Sequence, residues 1–155
     1  MLTRIDHVGI ACRDLDAAIG RYEATFGLQV VSLEVNEEQG VREAMLAVGG
    51  AQAVGRAQLA AVAAGDLQPG YVQLLEPLGP DTPVGRFLAR RGEGLHHLGY
   101  GVQDIGQALA AIGLRGVRLL DERPRHGSMG ASIAFLHPAD LGGVLTELVQ
   151  AAGPA

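Results

Sequence analysis

The feature that most constrains this chain is that it states one pattern twice. It opens with IDHVGIACRDLDAAIGRYEATFGLQVV, and LHHLGYGVQDIGQALAAIGLRGVRLL later repeats the order of residue types. Setting His7 over His97 fixes the shift at 90 residues. Ile5 then falls on Leu95, Val8 on Leu98, Gly9 on Gly99, Asp14 on Asp104 and Leu15 on Ile105. A chain of two copies must fold into two like units, each burying its apolar face with the help of the other.

Each copy has the same grammar. A strand (Ile5 to Cys12; Leu95 to Val102) runs into an aspartate. Asp14 and Asp104 are suited to be N-caps, because a carboxylate accepts the orphan N–H groups of a first helical turn. The helix that follows has Leu15, Ala18, Ile19, Tyr22 and Phe26 in one stripe, and Ile105, Ala108, Leu109 and Ile112 in the other copy. Gly27, and Gly113 or Gly116, are the expected stops. Strands are expected at Leu28 to Val35 and Val117 to Leu120. Two more close each half: Val41 to Val48 with Gly70 to Leu75, and Ser132 to Leu136 with Gly143 to Val149. The chain thus reads as β-α-β-β-β, twice.

Composition narrows the chemistry. All twelve basic residues are Arg, so lysine Schiff-base and lysine general-base chemistry are excluded. The net charge of −5 argues against a nucleic-acid partner. The single cysteine, Cys12, excludes an intrachain disulfide and a Cys-based zinc cage. No apolar run approaches the roughly 20 residues of a membrane helix, and the first residues lack the regions of a signal peptide. A cytoplasmic protein without membrane contact is the expectation.

The repeat also places polar residues. Strand alternation puts Ile5, His7, Gly9 and Ala11 on one face, and Leu95, His97, Gly99 and Gly101 on the matching one. Each histidine is followed two residues later by glycine, which leaves space beside the imidazole. His96 is expected on the opposite, helix-packed face. The last strands match as well, with Gln73 of YVQLLEP where Glu147 of GGVLTELVQ stands. A lone mid-strand carboxylate is costly to bury without a partner. Two imidazoles, a carboxylate and an amide oxygen make a usable ligand set for a divalent cation, with open positions left for substrate. His126 reads as a loop residue and His137, before Pro138, as a turn residue.

Four stretches carry a resemblance: IDHVGIACRDLDAAIGRYEATFGL, VREAML, QLLEPLGPDTPVGRFLARRGEGLHHLGYGV and GVRLLDERPRHGSMGASIAFLHPADLGGVLTELVQ. They cover nearly everything except roughly Ala51 to Gly70. The chain resembles the vicinal oxygen chelate (glyoxalase-like) superfamily, and within it the methylmalonyl-CoA epimerases. The resemblance implies one α+β domain over 1–155, made of two tandem βαβββ modules, about 1–78 and about 93–150. These would form a curved mixed sheet around a metal-binding cleft. It places the metal ligands on His7, Gln73, His97 and Glu147, the four positions that the repeat selects. It implies one divalent ion per chain, with Co²⁺ first and Mn²⁺, Ni²⁺, Zn²⁺ or Mg²⁺ as alternatives, an acyl-CoA substrate and a homodimer.

The implied reaction interconverts (R)- and (S)-methylmalonyl-CoA by proton transfer at C2 through a metal-stabilised enolate. Glu147 and Glu43 would be the acid/base pair. Glu43 shares a strand face with Val41 and Met45, where burial would raise its pKa. Two alternatives use the same fold: a glyoxalase I-type isomerase of glutathione hemithioacetals, and a small-molecule-binding protein without chemistry. The chain departs from the family at Ala139, where a lysine is common. Arg123, Arg125, Arg86, Arg90 and Arg91 are the candidates left to hold CoA phosphates. It departs again in the longer segment Ala51 to Gly70, whose Ala-rich centre suits a short helix.

Overall fold

The computed structural model describes residues 1–49 and 70–153. At its centre the two repeat-related strands, β1 (Leu2–Ala11) and β5 (Gly94–Val102), run antiparallel side by side. In the first half, β1 is followed by helix α1 (Leu15–Phe26) and strands β2 (Gln29–Asn36), β3 (Val41–Val48) and β4 (Gly70–Pro77). The Asp14 carboxylate accepts from the Ala17 N–H at 2.9 Å, and Gly27 ends the helix at φ 67°, a conformation that glycine adopts without strain. Helix α2 (Pro83–Arg91), which the sequence reading did not foresee, begins at the Thr82 cap with proline in its first position.

The second half repeats the plan, with helix α3 (Ile105–Gly113) capped by Asp104 through the Gln107 N–H at 2.8 Å. Strands β6 (Arg125–His126), β7 (Ser132–Leu136) and β8 (Thr146–Gln150) follow. One expected strand does not form. Within Val117 to Leu120 only Leu119 makes a single bridge, to Leu136. The backbone there is held irregularly instead. Arg118 is clamped by the Asp140 carboxylate through both its N–H and its guanidinium, and the N–H groups of Leu120 and Asp121 share one carbonyl, that of Phe135. The outer strand of this half is β6, so His126 lies in a short strand rather than a loop. His137 does sit in a turn, its ring accepting from the Ala139 N–H.

The strand order is β2-β3-β4-β1-β5-β8-β7-β6, in one mixed sheet. In each half the last strand lies parallel beside the first, β4 against β1 and β8 against β5. The sheet is so curled that its two ends meet. The side chains of Asn36 and Gln39, at the β2 end, donate to the carbonyl of His126 in β6. The helices α1 and α3 cover the outer face, α1 packing Leu15 onto Leu46 and Leu74 in one half and α3 packing Leu109 onto Leu136 and Leu148 in the other. Helix α2 instead packs Val84 and Leu88 onto Ala11, Val41 and Leu75, at one end of the inner face. Among the described residues, no helix is long and apolar enough to cross a membrane. The segment 51–69, with its expected helix, lies outside the described residues.

Candidate metal centre

Register alone brings the four expected positions together. Gly9 pairs with Gln73 on one side and with His97 on the other, and Gly99 pairs with Glu147 and with His7. Two rows therefore cross the sheet, Gln73–Gly9–His97 and His7–Gly99–Glu147. Each glycine makes room for the imidazole of the opposite half. A Cβ on Gly9 would overlap the His97 ring, and one on Gly99 would overlap the His7 ring. The glycine that follows each histidine thus serves the other histidine, a refinement of the space expected beside its own.

The rings lean over these glycines toward the row ends. His7 Nε2 lies 2.9 Å from Glu147 Oε2 and 2.9 Å from His97 Nε2, and His97 Nε2 lies 3.5 Å from the same oxygen. One donor atom from each of the three buried residues falls within 4.8 Å of the others. Burial opposes charge on Glu147, but hydrogen bonds from His7 and His97 outweigh it and hold the carboxyl down to about 2. Burial likewise opposes charge on His7, and Asp6 and Glu147 outweigh it, raising the imidazole to about 9.

Gln73 completes the set in a telling way. Its amide N–H₂ donates to Glu43 Oε2 at 2.8 Å and Ser128 Oγ at 3.0 Å, while its Oε1 is buried with no hydrogen-bond partner among the described residues. A buried acceptor left unpaired is costly. An oxygen ligand of a hard or borderline cation is the role that removes the cost. The residues present therefore fit a divalent ion with mixed nitrogen and oxygen donors.

Glu43 lies buried beside this set. Its Oε1 accepts from Ser128 Oγ at 2.7 Å. Burial raises its pKa, helped by the charges of Glu34 and Glu147 and opposed by the Ser128 and Gln73 hydrogen bonds. Ser128 went unnoticed in the sequence because it sits in an irregular turn. Its one signal is a serine enclosed by glycines, GSMG. Met129 next to it has φ 57°, which a non-glycine residue adopts at a cost. Its N–H donates to Glu34 Oε1 at 3.0 Å. The Ser128 turn is thus tied to the first half of the molecule across the cleft.

The expectation for His96 needs correction. Its Nδ1 lies 3.0 Å from His97 Nδ1, far too close for side chains on opposite faces of a strand. The cause is a bulge. Gly9 pairs with His97 and Ile10 with Leu95, so His96 is an extra residue. Burial and the neighbouring His97 push its pKa down to about 4. A second bulge at Asp6, between the pairs Ile5–Tyr100 and His7–Gly99, turns Ile5 off the histidine face. Ile5 and Leu95 are both exposed.

Two cavities flank the histidine pair. One, of about 210 Å³, is lined by His7, Gln73, Glu147 and Ser128. The other, of about 200 Å³, is lined by His97, Val41, Leu75, Phe135 and Arg125. Of the candidate phosphate-binding arginines, Arg125 reaches this cleft, paired with Asp121 at 3.0 Å. Arg86, Arg90, Arg91 and Arg123 are exposed.

Residues 6–135 match the model of the Glyoxalase/Bleomycin resistance protein/Dioxygenase superfamily. A Streptomyces coelicolor methylmalonyl-CoA epimerase in complex with 2-nitronate-propionyl-CoA is 50% identical, with a TM-score of 0.87 over 99% of this chain and 97% of that one. A methylmalonyl-CoA epimerase solved with methylmalonyl-CoA and NH4+ is also 50% identical, with the same TM-score and coverage. The Cereibacter sphaeroides ethylmalonyl-CoA/methylmalonyl-CoA epimerase is 32% identical over 97% of this chain and 99% of its own length. With this fold, this cluster and these relatives, the chain belongs to the Glyoxalase/Bleomycin resistance protein/Dioxygenase superfamily and, within it, to the methylmalonyl-CoA epimerase family.

Proposed function

We propose that this chain interconverts (R)- and (S)-methylmalonyl-CoA, with His7, Gln73, His97 and Glu147 as ligands of one divalent cation. The observation that carries the ligand set is the unpaired buried Gln73 Oε1 beside the two imidazoles and Glu147. The relatives supply the substrate. A divalent ion held there would act as a Lewis acid, stabilising the negative charge that develops on the thioester oxygen as C2 loses its proton. Co²⁺ is the first choice by resemblance, and the nitrogen and oxygen donors suit Mn²⁺, Ni²⁺, Zn²⁺ or Mg²⁺ also.

Inversion needs one group to take the C2 proton and another to return one to the opposite face. Glu43 and Glu147 reach the cleft from different halves of the molecule, on β3 and β8. Their environments drive them apart, Glu43 up by burial and Glu147 down by its two histidines. Such divergence is how a site assigns donor and acceptor to two like groups. Ser128 and Gln73 hold the Glu43 carboxyl by one bond to each oxygen, which fixes its aim. The homodimer expected from the resemblance and the cytoplasmic location expected from the sequence belong to the same proposal. Sedimentation and cell fractionation test them.

The deciding experiment incubates the protein, loaded with Co²⁺, with (R)-methylmalonyl-CoA in deuterated water. Deuterium at C2 together with racemisation is the expected result. A parallel assay with methylglyoxal and glutathione addresses the glyoxalase I alternative. Equal or greater turnover there overturns the substrate assignment, and absence of both metal binding and C2 exchange overturns the enzyme.

A further inference from the structure

The two bulges described above occupy equivalent places. Asp6 and His96 are related by the same 90-residue shift as His7 and His97, and each is the extra residue immediately before its histidine. In a regular strand the residue before a ligand points away from it. A bulge cancels that alternation and re-aims a side chain. Both bulged residues use the freedom in the same way. Asp6 Oδ1 lies 3.0 Å from His7 Nδ1, and His96 Nδ1 lies 3.0 Å from His97 Nδ1. Neither contact touches the Nε2 atoms, which face each other and Glu147.

We infer that Asp6 and His96 are the paired positioning residues of the two imidazole ligands, placed there by symmetric β-bulges. The inference rests on the metal reading of the site given above. An imidazole that offers Nε2 to a cation must carry its proton on Nδ1, and an acceptor fixed at Nδ1 selects that tautomer and holds the ring plane. Asp6 is an acceptor by nature. It is itself held by the Arg4 guanidinium. His96 is an acceptor at Nδ1 only if its own proton sits on Nε2. Its ring is steadied by an edge contact with Phe87 of helix α2, centroids 4.9 Å apart. The two halves thus orient equivalent ligands with unlike groups, a carboxylate for His7 and an imidazole for His97.

The test uses the full chain with Asp6→Ala, His96→Ala and His96→Asn, the last keeping an oxygen near the place of Nδ1. Circular dichroism and thermal unfolding first establish that each is folded. Titration with Co²⁺ should show binding weakened 10- to 100-fold or so in both alanine variants, the usual effect of losing such a partner. The Co²⁺ visible absorption bands should shift in both. His96→Asn should recover most of the affinity. Long-range proton–nitrogen NMR on the metal-free protein gives a readout that needs no cation. His97 should be in the Nδ1–H tautomer in the wild type and a mixture in His96→Ala. Unchanged Co²⁺ affinity and bands in both alanine variants, with an unchanged His97 tautomer, would overturn the inference. A wild type with a fixed His97 tautomer but no Co²⁺ binding would instead overturn the metal reading beneath it.

Discussion

The amide of Gln73 separates what a residue donates from what it withholds: both N–H groups are used on Glu43 and Ser128, and the oxygen is kept free. That division predicts different losses at the two carboxylates. Glu43→Gln should bind Co²⁺ within a few-fold of wild type while racemisation falls about 10²- to 10⁴-fold, the usual worth of one acid/base group. Glu147→Ala should lose both, as read by metal content and C2 exchange. Gly99→Ala should also lose metal, because the added methyl takes the space of the His7 ring. Cys12 gives a test away from the site. Burial raises its thiol from 9.0 to about 11, so the folded chain keeps a proton that the unfolded chain releases in that window. Stability should therefore fall as pH rises from about 9 to about 11, and Cys12→Ala should flatten that slope in urea titrations. The four candidate ligands were legible because polar residues stood at repeat-related positions in apolar strands. Ser128 was not, since a turn residue has no periodicity to violate.

At the scale of elements, the helices that follow the first strand of each half were readable from their caps. Asp14 and Asp104 do what a carboxylate before an apolar stripe should do. Losing such a cap costs about 1 kcal/mol. Asp104→Ala should lower stability by that amount in urea unfolding without altering metal affinity, whereas Thr82→Ala should do the same for α2. Helix α2 itself escaped notice because it follows a turn-rich LGPDTP and lies outside the repeated unit, with no counterpart in the other half to mark it. The bulges were illegible for a deeper reason. Alternation is read by counting in twos, and an inserted residue leaves no mark in composition, only in pairing. That is why HH read as one inward and one outward residue. The second-half strand expected over Val117 to Leu120 failed because Arg118 prefers the Asp140 carboxylate to a ladder.

For the whole molecule, the expected ligands come from four strands, two in each half, and the two central strands hold the halves together. Cation binding should therefore stabilise the entire fold. Co²⁺ at about 100 times its Kd should add about 2.7 kcal/mol, seen as a rise in Tm that chelation reverses and that Glu147→Ala lacks. The sequence displayed the paired halves because each had to repeat the same inward face. It hid how far the sheet curls: Asn36 and Gln39 reach the carbonyl of His126, which the 90-residue shift sets opposite Asn36, but no hydrophobic periodicity marks that contact. The crossing of the two rows, Gln73–Gly9–His97 and His7–Gly99–Glu147, has one more implication. Two separate copies of a single half could assemble such a centre, but strict symmetry would oblige them to supply two amides or two carboxylates. Joining the halves in one polypeptide frees each position to drift on its own. A reaction that must work on both faces of one carbon is thus served by a scaffold whose two halves present unlike groups, an amide and a carboxylate, from equivalent places.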